Sequence, residues 1–143
     1  MKALIIGVSG QDGSYLSEYL LRKNYSVVGA SRDADNADFN NLKKLNILNN
    51  IEKISLNTLN LKDIESVIKL HKPNEIYNLS GQTSVGVSFI NRVETYNSIF
   101  ISTLNILEAI KNTNRDIKFF NAGSGEIYGG NEESISDESS IIV

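Results

Sequence analysis

Apolar positions along this chain fall into short blocks separated by glycines or by stretches rich in Asp and Asn. Lys2 to Ile6 is a short apolar run broken by Gly7, Gly10 and Gly13, the pattern of a buried strand feeding a tight turn. Beyond the turn, Tyr15, Leu16, Tyr19 and Leu20 recur at one-turn spacing and Arg22-Lys23-Asn24 supplies a basic end, which predicts a helix over Gln11 to Lys23. Tyr25 to Ala30 predicts a second strand, the polar segment from Ser31 to Asn41 a loop with a short helix after it, and Ile51 to Leu56 a third strand. Asp63 is placed to cap a helix carrying Ile64, Val67, Ile68 and His71 on one face, and the single proline, Pro73, ends it. Glu75 to Ser80 predicts a fourth strand, Val93 to Ile110 the longest helical segment, and Ile117 to Ala122 a fifth strand. A segment from Gly123 to Asp137 rich in glycine, serine and acids follows.

Strands that alternate with helices imply βαβ units, and right-handed crossovers then favour an α/β doubly wound (Rossmann-type) parallel sheet of about five strands in the order 3-2-1-4-5. In such a sheet a ligand sits outside the carboxyl ends of the strands. No internal repeat is present in the sequence.

Composition narrows the chemistry. A chain of 143 residues has room for one core. There is no cysteine, so thiolate nucleophiles, disulfides and Cys-ligated zinc are excluded, and one histidine cannot anchor a multi-His metal site; no metal is expected. His71 falls in the last turn of its helix, where a cation suits the macrodipole, and is read as structural. A formal charge of −3 with scattered lysines gives no basic stripe for nucleic acid. No apolar run approaches the ~18 residues of a membrane span, and the expectation is a cytoplasmic protein.

The glycine turn carries the first functional signal. Gly7, Val8, Ser9, Gly10, Gln11, Asp12 and Gly13 place three glycines at the spacing G-x-x-G-x-x-G where a strand becomes a helix. Backbone N–H groups can there approach the pyrophosphate of a dinucleotide at the helix N-terminus, whereas a Cβ would hinder it. Cofactor choice is set where the second strand ends, here Gly29-Ala30-Ser31-Arg32-Asp33. An arginine accepts the 2′-phosphate of NADP and an acid the ribose hydroxyl of NAD. Arg32 favours NADP, Asp33 beside it opposes a phosphate, and a solvated surface pair is the plain alternative.

Longer stretches are more specific. Gly10-Gln11-Asp12-Gly13-Ser14-Tyr15-Leu16, Ile76-Tyr77-Asn78-Leu79, Gln82 with Val85-Gly86-Val87-Ser88-Phe89, and Ser124-Gly125-Glu126-Ile127-Tyr128-Gly129 run over nearly the whole chain. Together they resemble the extended short-chain dehydrogenase/reductases, most closely the GDP-mannose 4,6-dehydratases. The resemblance implies an enzyme that uses bound NADP to oxidise a nucleotide sugar at C4, removes a proton from C5 as water leaves C6, and returns the hydride to C6. It implies Ser124 as the hydroxyl that hydrogen-bonds the C4 oxygen and Glu126 as the C5 base, both apt for such roles. It also implies that Leu79, Ser80, Gly81, Gln82 and Thr83 pass the nicotinamide and its ribose, and that Asn60 and Leu61 lie on the adenine side.

Some positions depart from the family pattern. Asn60 stands for an aspartate, Asp33 and Ala34 for arginine and serine, Glu94 for a tyrosine near the cofactor, Ser84 for a histidine, and Phe100 and Ser102 for glycines. The family's Tyr-x-x-x-Lys pair is expected after Glu138 and is not found there; Tyr19 with Lys23 has that spacing but falls on the first helix. The resemblance therefore implies that residues 1–143 are an incomplete dinucleotide-binding domain without its substrate domain, inactive alone. A stand-alone NADP-binding module and part of another nucleotide-sugar epimerase or reductase are the competing readings. Val93, Tyr96, Ile99, Phe100, Leu104, Ile106, Leu107 and Ile110 form an apolar arc wider than the ~100° stripe one packing face needs. Self-association is expected, unless Ile135, Ile141, Ile142 and Val143 fold back over the surplus.

Overall fold

The computed structural model describes residues 1–129 and 135–142, with the surroundings of Gly125 and the side chain of Glu126 outside that description. Strands β1 (Lys2–Ile6), β2 (Ser26–Ser31), β3 (Glu52–Ser55), β4 (Glu75–Asn78) and β5 (Lys118–Asn121) form one parallel sheet in the order β3-β2-β1-β4-β5. This is the order that the alternation of elements predicts. The central strand β1 pairs on both sides, Leu4 opposite Val28 and opposite Ile76.

Successive side chains of β1 point to opposite faces, and each face builds its own core. Leu4 and Ile6 join Val28, Ala30 and Ile76 beneath helices α3 (Leu61–His71) and α6 (Ser102–Thr113), meeting Ile64, Ile68, Ile106 and Ile110. Ala3 and Ile5 join Val27 on the other face, beneath α1 (Gln11–Arg22) and α2 (Asn40–Lys44), meeting Leu20, Phe39 and Leu42. Each fully buried Leu or Ile contributes about 1.5–3 kcal/mol relative to exposure. Strand β2 runs one residue later than its predicted block, and β3 to β5 end one or two residues inside theirs, because burial outlasts the ladder: Leu56 belongs to the core although it follows β3.

Two helices differ from expectation in instructive ways. The face of α1 that meets the sheet is Gly13, Ser14, Ser17 and Leu20, while Tyr15 and Tyr19 are exposed. The helix lies too close to the glycine turn for aromatic rings to fit between them. The Ser14 and Ser17 hydroxyls are satisfied within the helix by the carbonyls of Gln11 at 2.7 Å and Gly13 at 2.6 Å. Helix α3 is capped by Asn60 rather than Asp63: its Oδ1 accepts from the N–H groups of Lys62 at 3.0 Å and Asp63 at 3.4 Å. Asp63 instead accepts from the Asn57 N–H at 2.8 Å, closing the preceding loop. The helix ends on Lys72 in the left-handed region (φ 48°), immediately before Pro73. His71 is buried with Nδ1 3.5 Å from the Glu52 carboxylate.

The long periodic segment is not one regular helix. It is preceded by α4 (Val85–Ile90), which the periodicity did not predict, and runs through α5 (Arg92–Tyr96), a π-turn over Asn97–Ile101, and α6. The outer faces of α4 and of this segment are left open: Phe89, Ile90, Val93, Tyr96, Phe100 and Leu104 are all exposed. Ile135, Ile141 and Ile142 are exposed too, so these tail residues do not cover it. Among the described residues no helix is long and apolar enough to cross a membrane.

Candidate active site

The strand order reverses between β1 and β4, and the loops leaving these strands diverge to open a cleft there. Its walls are Ile6, Gly7, Ser9 and Gly10 after β1; Ala30, Ser31 and Arg32 at the end of β2; Leu56 and Thr58 after β3; Leu79 to Thr83 after β4; and Glu94 and Ser98 from the helical segment beyond. They enclose about 390 Å³.

The floor is made by a turn that excludes side chains. Gly7 has φ +90°, and a Cβ on it would stand 2.7 Å from the Leu79 carbonyl oxygen. A Cβ on Gly13 would run into the Gly7 carbonyl oxygen and come within 2.8 Å of Val8 Cα. The turn is pinned to β2 by the Gly7 and Val8 N–H groups, both donating to the Ala30 carbonyl at 3.0 and 3.3 Å. Val8 is buried and fills the space over Gly29, where a Cβ would meet its side chain at 2.7 Å. Gly10 caps α1 with no side chain of its own, so no cap side chain accepts from the first-turn N–H groups of Gln11, Asp12 and Gly13. That is the donor set a pyrophosphate requires, and the residues present fit the phosphate portion of a dinucleotide.

The loop after β4 is held by a polar network. Asn78 is buried; its Oδ1 accepts from the Ser80 hydroxyl at 2.7 Å, and its Nδ2 donates to Asn121 Oδ1 at 2.8 Å. Thr103 Oγ1, whose proton goes to the Ile99 carbonyl at 2.6 Å, accepts from Asn78 Nδ2 at 3.5 Å and lies 3.3 Å from the same Asn121 oxygen, placing α6 against both strands. Beyond it, Gly81 takes φ +136° and the Gln82 N–H donates to Ser98 Oγ at 3.3 Å. The side-chain oxygen of Gln82 accepts from the Ser84 N–H at 2.9 Å, so Gln82 shapes the entry to α4 as well as the cleft wall. The π-turn, a feature frequent at functional sites, contains the Ser98 that completes this wall.

At the β2 edge, Asp33 does not pair with Arg32. Its Oδ1 accepts from the N–H groups of Asp35 and Asn36, both at 3.1 Å, and its Oδ2 from the Asn36 amide at 2.8 Å. Those bonds, the Asn36 amide first, hold its carboxyl below the ordinary aspartate range. Arg32 reaches across the cleft instead, with Nη1 3.4 Å from Glu94 Oε1. Ser31 beside it has a buried Oγ without a hydrogen-bond partner.

The predicted residues therefore divide. Gly7, Ser9, Gly10, Arg32 and Leu79 to Thr83 share the cleft, and Val8, Gln11, Asp12 and Gly13 build the turn under it. Asn60 and Leu61 do not line it; Asn60 is engaged in capping α3, and Leu56 and Thr58 stand on that side instead. Ser124 follows β5 and is not among the walls; its carbonyl accepts the Ile127 N–H at 3.4 Å in the short turn Gly125–Tyr128. The Glu126 side chain lies outside the described residues. Glu94, which the resemblance puts near the cofactor, and Ser31, at the end of the second strand, are both in the walls; Thr58 and Ser98 were not singled out by sequence, and no local pattern marks them.

Comparisons with known proteins bear on the family and the fold. The family model for GDP-mannose 4,6 dehydratase matches residues 4–142. GDP-mannose 4,6 dehydratase 1 of Arabidopsis thaliana is 37% identical over 137 residues, covering 89% of this chain and 38% of its own length. The Homo sapiens enzyme is 37% identical over 139 residues, covering 92% and 37%. The chain thus spans less than two-fifths of these relatives. Among solved structures, the UDP-Glc/GlcNAc 4-epimerase of Campylobacter jejuni superposes with a TM-score of 0.86 at 18% identity, covering 99% of this chain and 43% of that one. The dTDP-glucose 4,6-dehydratase of Bacillus anthracis, solved in complex with NAD, gives 0.81 at 22% identity, covering 100% and 44%. The structural likeness establishes the fold; with the sequence match over residues 4–142, the chain belongs to the GDP-mannose 4,6 dehydratase family.

Proposed function

We propose that residues 1–143 are the dinucleotide-binding part of an enzyme that dehydrates GDP-mannose to a 4-keto-6-deoxy sugar nucleotide, with NADP in the cleft at the ends of β1 and β4. The observation that carries this reading is the family match over residues 4–142, laid on a turn where a Cβ at Gly7 or Gly13 would meet backbone. When bound, the nicotinamide supplies a reversible two-electron acceptor for the sugar C4.

The turn from Gly7 to Gly13 holds the pyrophosphate by N–H groups at the start of α1. Arg32 meets the 2′-phosphate, the contact that distinguishes NADP from NAD. Leu79 to Thr83 form the wall beside the nicotinamide and its ribose. Ser124 hydrogen-bonds the C4 oxygen and Glu126 takes the C5 proton, both from the segment after β5. The Tyr-x-x-x-Lys pair and the portion that grips the sugar belong to the length of the relatives that this chain does not span.

Calorimetric titration of the chain with NADP and with NAD tests the reading. Binding of a dinucleotide below millimolar concentration, with Arg32→Ala weakening NADP more than NAD, is the expected result. No binding of either at millimolar concentration overturns it. The chain incubated with NADP and GDP-mannose yields no 4-keto-6-deoxy product; turnover by the pure 143-residue chain overturns the assignment of acid–base chemistry to the absent pair.

A further inference from the structure

Arg32 is the guanidinium in the cleft wall, and its partner there is a carboxylate from the far side of the chain. Glu94 lies on α5, 62 residues away in sequence, and brings Oε1 to 3.4 Å from Arg32 Nη1. Both side chains line the cleft, and both are open to solvent, at 90% exposure for Arg32 and 58% for Glu94. The neighbouring acid that the sequence suggests as a rival, Asp33, has both oxygens engaged by Asp35 and Asn36.

The geometry points to Glu94 as the residue that sets how strongly the cleft prefers a 2′-phosphorylated dinucleotide, by competing with that phosphate for Arg32. This rests on the dinucleotide reading above. A 2′-phosphate arriving at Arg32 must displace the carboxylate from the guanidinium and then remain near it, a like-charge contact. A dinucleotide with a free 2′-hydroxyl leaves the ion pair intact and loses nothing. Arg32 thus favours NADP and Glu94 subtracts from that preference. The pair is solvent-exposed, so the subtraction is modest and salt-dependent.

The experiment is calorimetric titration with NADP and NAD of the chain itself and of its Glu94→Gln, Arg32→Ala and doubly substituted variants, at low and at physiological salt. Glu94→Gln keeps the size of the side chain and removes its charge. It is expected to tighten NADP about threefold to fivefold while moving NAD less than about twofold. The gain disappears in the double variant and shrinks as salt rises. Equal shifts for both cofactors, no shift for NADP, or a gain that survives the loss of Arg32 overturns the role of Glu94 and leaves dinucleotide binding standing. Binding of neither cofactor by any of the four proteins overturns the dinucleotide reading and the role of Glu94 with it. Circular dichroism of each variant, superimposable on the parent's, separates a change of affinity from a change of fold.

Discussion

The carbonyl oxygen of Gly7 occupies the space into which a side chain on Gly13 would project. Two glycines separated by a turn of chain are therefore one steric unit, and the closeness of α1 to the sheet depends on it.

Gly13→Val should destabilise the fold by at least about 1–3 kcal/mol, the usual range for overpacking, because the atoms it meets are backbone and cannot rotate away. A urea unfolding midpoint unchanged from the parent would show that α1 can slide outward at no cost. Gly10, whose Cβ would come no nearer than 3.3 Å to the Gly7 carbonyl oxygen, serves as the milder comparison.

Asn60→Ala removes the side chain that accepts from the Lys62 and Asp63 N–H groups. A loss of about 1 kcal/mol is expected, typical of an N-cap, whereas Asn60→Asp should retain stability and add a favourable charge at the helix start. Thermal melts of the two variants check this.

Glu65 gives the fold an acid-sensitive element. Its side chain is buried between α3 and α6, where the Asn112 amide at 3.0 Å and the Lys62 ammonium at 3.0 Å hold its carboxyl below the ordinary glutamate range. A carboxylate lowered on folding contributes stability that is present above the unfolded pKa, about 4.3, and is lost as pH falls through the folded value. Unfolding free energy measured between pH 7 and pH 3 should fall less steeply in Glu65→Gln than in the parent. Identical slopes would remove Glu65 from the account.

The open apolar face over α4 to α6 should drive association of the chain. Phe89, Ile90, Val93, Tyr96, Phe100 and Leu104 are exposed on neighbouring turns, more apolar surface than an isolated soluble domain usually shows. Light scattering is expected to report species larger than 15.8 kDa, and the doubly substituted Val93→Glu, Phe100→Glu chain to shift toward that mass. A monomeric parent at high concentration would contradict this.

The sheet was legible from sequence because its signal is local. Short apolar blocks bounded by Gly7, Pro73 and the Asp/Asn loop leave few topologies, and handedness then orders the strands. What escaped was set by approach between distant parts. Tyr15 and Tyr19 have helical apolar spacing, yet the tightness of the glycine turn gives the inner face of α1 to Ser14 and Ser17. Asp63 and Asn60 both have capping side chains, and only the path of the loop from Asn57 decides between them. In the cleft, the glycines and the polar loop from Leu79 to Thr83 announced themselves by residue type. Ser98 did not, and neither did the pairing of Glu94 with Arg32, since a π-turn and a contact across 62 residues leave no trace in a local window.

The pairing of β1 with β4 has a consequence for the order in which the chain can gain structure. Asn74 accepts the Lys2 N–H with its side-chain oxygen across 72 residues of sequence, and β1 has no second neighbour until β4 is in place. Contacts of such long separation must close a large loop before they return any energy, which slows folding. During synthesis the apolar β1, Ala3 to Ile6, must wait for more than half of the described chain to be made. In that interval its free edge is exposed to other chains. Changes that slow translation between β3 and β4 should therefore lower the soluble yield of this protein without altering the stability of the molecules that do fold.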